Sequence, residues 1–329
     1  MNKIRSPNKK EKRKQQTKAN KEKKIMREAT FEEFLNKLTK GIEENLPENM
    51  KNAKVEINTV TKNNGTKLTS VLIRIEGENM TPTIYVSEYY KDYINEKMDL
   101  EDIIREVINL RIKHRKENIE LDWVNDFDKV KDKIIPTFAG LEEYNKDIME
   151  TSPYVKILDM IMIFRILLNI DSNGSMGTIV IKDELQSKWG VTTEMLFQAA
   201  LKNVKEKKWF KVESMAEVFN RMTGGSPIEA EVFNDNPMYV ISNKEMTYGA
   251  TAIIDEEFMW DVYDKIGEDF IIIPSSVHEL IGIPMHCADT NPDYLKEMIE
   301  SVNRTSVEKK DWLSNHPYKF TKENGLENF

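Results

Sequence analysis

The stretch that most restricts what this chain can fold into is Asp269–Met285, D-F-I-I-I-P-S-S-V-H-E-L-I-G-I-P-M. Two apolar runs, Phe270–Ile273 and Leu280–Ile283, enclose the polar hexapeptide Pro274–Glu279, and each run ends at a proline. Runs of four residues rich in isoleucine and bounded by proline read as buried strands. The spacing therefore predicts two buried strands joined through the hexapeptide, with helices supplied by the rest of the chain to cover the sheet.

Upstream, Thr30 followed by Glu32 and Glu33 is a helix-start signal, and Phe31, Phe34, Leu35, Leu38 and Ile42 then fall at helical spacing up to Pro47. Lys54–Thr61 and Lys67–Ile75 alternate around Asn63-Asn64-Gly65, which predicts a hairpin, with a third strand at Thr83–Val86. Helices follow at Ser87–Asn95 and Leu100–Arg115. Tyr89, Tyr90 and Tyr93 on the first of them read as packing with wet hydroxyl tips. Trp123–Lys133 reads as helical, and Pro136 and Gly140 as breakers of that segment.

A second unit is expected from Tyr154, with one long strand over Val155–Leu168, a turn at Asn173-Gly174 and a strand at Thr178–Ile181. Helices are expected at Asp183–Trp189, from Thr192 or Thr193 to Asn203, and at Val212–Met222, then a loop at Thr223–Pro227. Met238–Ser242 and Ala250–Ile254 read as a strand pair, and Asp255 as the cap of a helix over Glu256–Ile266. Pro292 opens a last helix with Leu295, Met298, Ile299 and Val302 inward, before an irregular tail holding one strand near Tyr318–Phe320. The fold expected is α+β: two lobes of mostly antiparallel sheet covered by helices, with a disordered basic arm over residues 1–28. The N-terminal domain is read over 29–150 and the C-terminal domain over 151–329.

Charge divides the chain sharply. Residues 1–28 hold 12 Lys or Arg against 3 Asp or Glu, while the remainder holds 36 against 53. An arm with so little apolar content cannot offset the cost of ordering its backbone. Its cations, Lys9, Lys10, Lys12, Arg13 and Lys14 foremost, suit nucleic-acid phosphates. About six such contacts would give a log–log salt slope near −5, and a salt-independent affinity would remove the idea. Met26 stands just before the first helix, so the arm reads equally as an extension of a domain complete without it. Ile157–Leu168, interrupted by Asp159 and Arg165, is too short and too charged to span a bilayer. Cys287 is the single cysteine, which excludes an intrachain disulfide and, with no apolar segment after the basic arm, points to the cytoplasm.

Ser275, Ser276, His278 and Glu279 are the candidate catalytic residues of a hydrolase. Residues so close along a turning chain seldom converge as a Ser-His-acid relay needs. A serine-rich turn satisfying its own backbone is the competing interpretation. His278, His286, Cys287 and Asp289 have donor types that suit zinc but no zinc spacing, so no metal is expected. Asn173–Gly177 and Thr223–Pro227 lack the lysine of a phosphate-binding loop, and no cofactor is expected.

Across about residues 29–321 the chain resembles a bacterial family of domains of unknown function. The matching residues are K-N-N-G at 62–65, P-T-I-Y at 82–85, F-D-K-V-K-D-K-I at 127–134 and W-G-V-T at 189–192. Y-V-I-S-N-K at 239–244, G-A at 249–250, I-P-S-S-V-H-E at 273–279 and V-N-R-T at 302–305 continue it. The resemblance implies no activity, and the basic arm lies outside it. Since each catalytic template lacks a required part, the expected function is that of a cytoplasmic, non-enzymatic binding protein with a protein partner. Nucleic-acid contact through the arm and hydrolysis at Ser275–Glu279 are the alternatives.

Overall fold

The computed structural model describes residues 30–115, 120–170, 176–224 and 237–329. The arm with Lys9, Lys10, Lys12, Arg13 and Lys14, the Asn173-Gly174 turn and most of Thr223–Pro227 lie outside the described residues. Contacts divide the chain into two compact units, one formed by residues up to 61 and 67–120, the other by 62–66 and 121–329.

In the first unit, α1 (Phe31–Asn45) starts at a capping box in which the Thr30 hydroxyl accepts from the Glu33 amide and the Glu33 carboxylate accepts from the Thr30 amide. Strands β1 (Lys54–Thr61) and β2 (Lys67–Arg74) pair antiparallel from Lys54↔Arg74 to Thr61↔Lys67, and β3 (Ile84–Tyr85) pairs with β2. Helices α2 (Ser87–Ile94) and α3 (Leu100–Lys113) follow. Phe34, Leu38 and Ile42 meet Val71, Ile73, Ile103 and Val107 in one core. The tyrosines are part of this packing: Tyr90 and Tyr93 rings lie 5.4 Å from Phe34, and the Tyr89 hydroxyl donates to Glu106 at 3.0 Å.

The second unit holds two sheets, and every pairing in them is antiparallel. After α4 (Phe127–Val130), β4 (Ile134–Leu141) and α5 (Lys146–Met149) come β5 (Tyr154–Ile157), β6 (Met160–Ile170) and β7 (Met176–Val180). Strand β6 pairs with β4 on one side and with β5 and β7 on the other. Next are α6 (Asp183–Trp189), α7 (Thr193–Glu206), β8 (Phe210–Ser214), α8 (Met215–Thr223), β9 (Tyr239–Asn243) and α9 (Glu256–Ile266). Strands β10 (Phe270–Ser276) and β11 (Glu279–Pro284), helix α10 (Pro292–Ser306) and strands β12 (Tyr318–Thr321) and β13 (Gly325–Asn328) complete the unit. The six-stranded sheet runs β13-β12-β10-β11-β9-β8; the two isoleucine-rich runs form paired strands, as the opening stretch predicts, and they occupy the centre of the sheet. Phe138, Met162 and Phe164 of one sheet, Ile272, Leu280 and Phe320 of the other, and Leu196, Ala200, Met259 and Val262 of the helices share one core.

Residues 121–150 pack with the C-terminal unit, because β4 pairs along its whole length with β6; the division falls at 120/121 and not at 150/151. Pro136 and Gly140 break nothing: both lie inside β4, a fully buried strand. That strand is at its sheet's edge, where a proline without an N–H is tolerated, and its register shifts between Phe138 and Gly140. The single strand read over Val155–Leu168 is the hairpin β5–β6, turned at Leu158-Asp159, with Leu158 at φ 54°. Trp123–Lys133 forms short helical turns and not one helix.

Val212 belongs to β8, since Ser214 and Glu217 form a second capping box that starts the helix at Met215. Gly249–Ile254 is a buried 3₁₀ turn, so β9 pairs with β8 and β11 instead of with Ala250–Ile254. On α10, Asn303 points inward in place of Val302, which is exposed. The Asn303 amide donates to the Ser314 carbonyl at 3.1 Å and to Asn315 Oδ1 at 2.9 Å, which fixes the helix rotation. The tail read as irregular, with one strand, is the hairpin β12–β13.

Residues 62–66 link β1 to β2 yet belong to the second unit by their contacts. Asn64 and Gly65 adopt φ 54° and 63°, as an Asn-Gly turn requires, and the Asn64 side chain is fully buried. Its amide donates to the carbonyls of Lys309 (2.9 Å) and Trp312 (2.7 Å), while Asn145 donates to Asn64 Oδ1 (2.9 Å) and to the Leu141 carbonyl (2.7 Å). Among the described residues no helix is long and apolar enough to cross a membrane.

Candidate functional site

The turn between β10 and β11 gathers its polar groups inward. Ser275 and Ser276 hydroxyls both donate to Glu279 Oε1 at 3.1 Å, and Ser276 Oγ also accepts from the His278 amide at 3.1 Å. The imidazole of His278 faces elsewhere. Its Nδ1 accepts from the Tyr248 amide at 3.2 Å, so the ring hydrogen sits on Nε2, which lies 3.5 Å from Asp311 Oδ1. Burial alone would raise the Asp311 carboxyl, but hydrogen bonds and charge from His278 and Lys310 outweigh it and hold the group below its ordinary value. Both nitrogens of His278 are therefore committed within the fold, and neither touches a serine hydroxyl. Ser275, Ser276, His278 and Glu279 come together as a turn without forming a Ser-His-acid relay.

His286 and Cys287 sit on a 3₁₀ turn after β11, where Cys287 Sγ is 3.0 Å from His286 Nε2 and His286 Nδ1 meets Glu268. Asp289 Oδ1 is used locally, accepting from the Asn291 amide at 2.8 Å. Among the described residues no group of three or more His, Cys, Asp or Glu side chains is placed to hold a metal ion.

The more informative geometry lies at residues that no local motif marks. Asp159, at the β5–β6 turn, receives three side-chain donors, two from the segment between α10 and β12 and one from the first residue of β12. Ser314 Oγ donates at 2.9 Å, His316 Nδ1 lies 2.8 Å from Oδ2, and the Tyr318 hydroxyl donates to Oδ1. Ser314 and Tyr318 are fully buried. Burial and the adjacent Asp159 charge push the Tyr318 phenol far above its ordinary value, so it remains a donor to this carboxylate. A carboxylate offers only acceptors, so Nδ1 of His316 carries the hydrogen of this contact, and in the neutral imidazole Nε2 keeps the lone pair. That atom has no hydrogen-bond partner among the described residues.

His316 and Asp159 line a cavity of about 570 Å³. Leu141, the last residue of β4, lines it together with Glu142, Glu143 and Lys146 from the segment that follows. Lys296 and Glu300, four residues apart on one face of α10, also line it, and Asn315 lies beside His316. Glu142 is paired with Lys156 at 2.6 Å. A hydrogen bond to Glu143, then burial and the charges of Glu143 and Glu300, raises the Tyr144 phenol above its ordinary value. One signal of this site was present in the sequence: Asp159 is a lone acid between two apolar runs, a place where a carboxylate needs partners. Its partners lie more than 150 residues downstream, and no local spacing announces them.

No curated protein and no solved structure matches this chain. A family model does match, described as a family of unknown function, over residues 31–322, which takes in both units and the whole cleft. The chain belongs to that family, DUF5688.

Proposed function

We propose that the protein is a cytoplasmic binding protein whose polar ligand sits in the cleft at His316, and that the Ser275–Glu279 turn serves as scaffold. The observation carrying this reading is a cleft-lining imidazole held at Nδ1 by Asp159, whose carboxylate takes hydrogen bonds from buried Ser314 and Tyr318, while Nε2 has no partner among the described residues. About 570 Å³ falls within the span of small-molecule sites, roughly 300–1,000 Å³. The lining carries both signs of charge, Lys146 and Lys296 against Glu143 and Glu300, which suits a ligand with polar or charged groups over an apolar one. A single cysteine supports the reducing compartment. Nucleic-acid contact through Lys9, Lys10, Lys12, Arg13 and Lys14 stands as a separate proposal, carried by the arm's charge alone.

The test is native mass spectrometry of the full chain purified from its own cells. The wild type is expected to retain an added small-molecule mass that the double variant Lys296→Ala, Glu300→Ala loses. Identical spectra from both proteins would overturn the cleft as the binding site.

A further inference from the structure

We infer that His316 is a proton acceptor toward molecules bound in the cleft, and that Asp159 is the residue that positions it. The inference rests on the cleft being the ligand site and goes beyond binding: the site performs proton transfer on a ligand bearing an ionisable O–H, N–H or activated C–H.

Two His–Asp pairs in the C-terminal unit make the comparison that carries this. At His278 the Tyr248 amide occupies Nδ1, which forces the hydrogen onto Nε2 beside Asp311, and no lone pair remains. At His316 the order is reversed. Asp159 takes Nδ1–H, and Nε2 keeps its lone pair on the wall of a cavity. The carboxylate is itself held, because fully buried Ser314 and Tyr318 both donate to it and the backbone amide of His316 donates to Ser314 Oγ at 3.0 Å. A base needs a fixed tautomer, an orienting partner and access to a substrate, and this pair has all three. The step balances without any further reagent. Nε2 takes a proton from the bound molecule, and the imidazolium that forms keeps its Nδ1–H hydrogen bond to the Asp159 carboxylate. The proton then returns to product or passes to water. Lys296 and Glu300 of α10 line the same cavity as groups that can hold the substrate's charges.

The experiment uses 5-nitrobenzisoxazole as a probe, since its ring opens when a base removes one C–H proton. The C–H electron pair forms the nitrile, the N–O bond breaks, and its electrons leave on the nitrophenolate oxygen. The full chain is expected to accelerate this opening, and His316→Gln to lower the protein-dependent rate at least tenfold, the lower end of general-base contributions being about 100-fold in evolved sites. His316 is half-exposed, so this variant is expected to keep the wild-type melting temperature. Asp159→Asn is expected to lower the rate and to move the pH–rate profile, a readout that a merely structural carboxylate leaves in place. His278→Gln is expected to keep the wild-type rate if folded. A folded His316→Gln variant that reacts at the wild-type rate would overturn the inference. The outcome separates from the binding reading. A cleft that opens the probe through His316 but carries no added mass from cells would overturn binding alone. A cleft that retains a ligand but is unmoved by His316→Gln would overturn proton transfer alone.

Discussion

Replacing Glu78 with Ala is expected to cost the N-terminal unit on the order of 3–5 kcal/mol, the penalty for stranding a buried charge. The charge is Arg111, whose side chain is fully buried on α3. Its Nε donates to the Ile73 carbonyl at 2.8 Å and its Nη2 to Glu78, while Nη1 has no partner. Arg115 reaches the other Glu78 oxygen at 2.7 Å. Burial alone would raise the Glu78 carboxyl, but the two guanidinium groups outweigh it and hold it below the ordinary value of 4.5. A depressed carboxyl contributes stability that is fully present above its unfolded value and is lost as pH falls through the folded one. The gap between wild type and Glu78→Ala is therefore expected to be widest near neutral pH and to close in acid below about pH 4. Glu78→Leu combined with Arg111→Met is expected to recover most of the loss, because an apolar pair of similar volume removes both charges. Urea unfolding followed by circular dichroism checks this, and a Glu78→Ala midpoint equal to wild type at pH 7 would refute it.

Gly140→Ala is expected to be nearly as costly, about 3 kcal/mol or more, and to act on the C-terminal unit. Gly140 sits at φ +102° within β4, a conformation that costs other residues roughly 1–3 kcal/mol. A Cβ there would also lie 2.4 Å from Asn64 Oδ1 and 2.5 Å from the Trp312 carbonyl. The carbonyl is backbone and already accepts from Asn64, so relief means breaking the paired-asparagine network, adding roughly 1–3 kcal/mol of overpacking. Gly190 is the control: at φ +67° with nothing within 4 Å of its Cβ position, Gly190→Ala is expected to cost only about 1–2 kcal/mol. All five tryptophans, Trp123, Trp189, Trp209, Trp260 and Trp312, lie in residues 121–329, so their fluorescence reports this unit directly. Equal costs at the two glycines would show that the close approach at Gly140 is not what the fold depends on.

The contrast between these positions explains how far the sequence could be read. Local signals were legible where one segment supplies both halves of an interaction. Thr30 with Glu33, Asp255 with the Phe258 amide, the Asn64-Gly65 turn and the two isoleucine-rich runs all fall where their chemistry places them. Strand β4 was not legible, because its proline is tolerated only at an edge and its glycine is required by Asn64, some 76 positions away in the chain. The capping box at Ser214 and Glu217 was visible in principle, but the apolar spacing of Val212–Met222 concealed the strand that precedes it. The same holds for the site. The Ser275–Glu279 cluster attracts notice because its residues are neighbours, and neighbours on a turn satisfy one another. The Asp159–His316 pair joins a turn to a segment 157 residues away, and only folding brings it to a cavity.

Of the two His–Asp pairs, one is closed into the fold and one is open to the cleft. Nitrogen-15 spectra of the imidazoles in the full chain at neutral pH test it most directly, with His278→Gln and His316→Gln used for assignment. His278 is predicted to carry its hydrogen on Nε2 and His316 on Nδ1, and Asp159→Asn is predicted to change only the latter. A spectrum in which His316 carries its hydrogen on Nε2, as His278 does, would contradict the account.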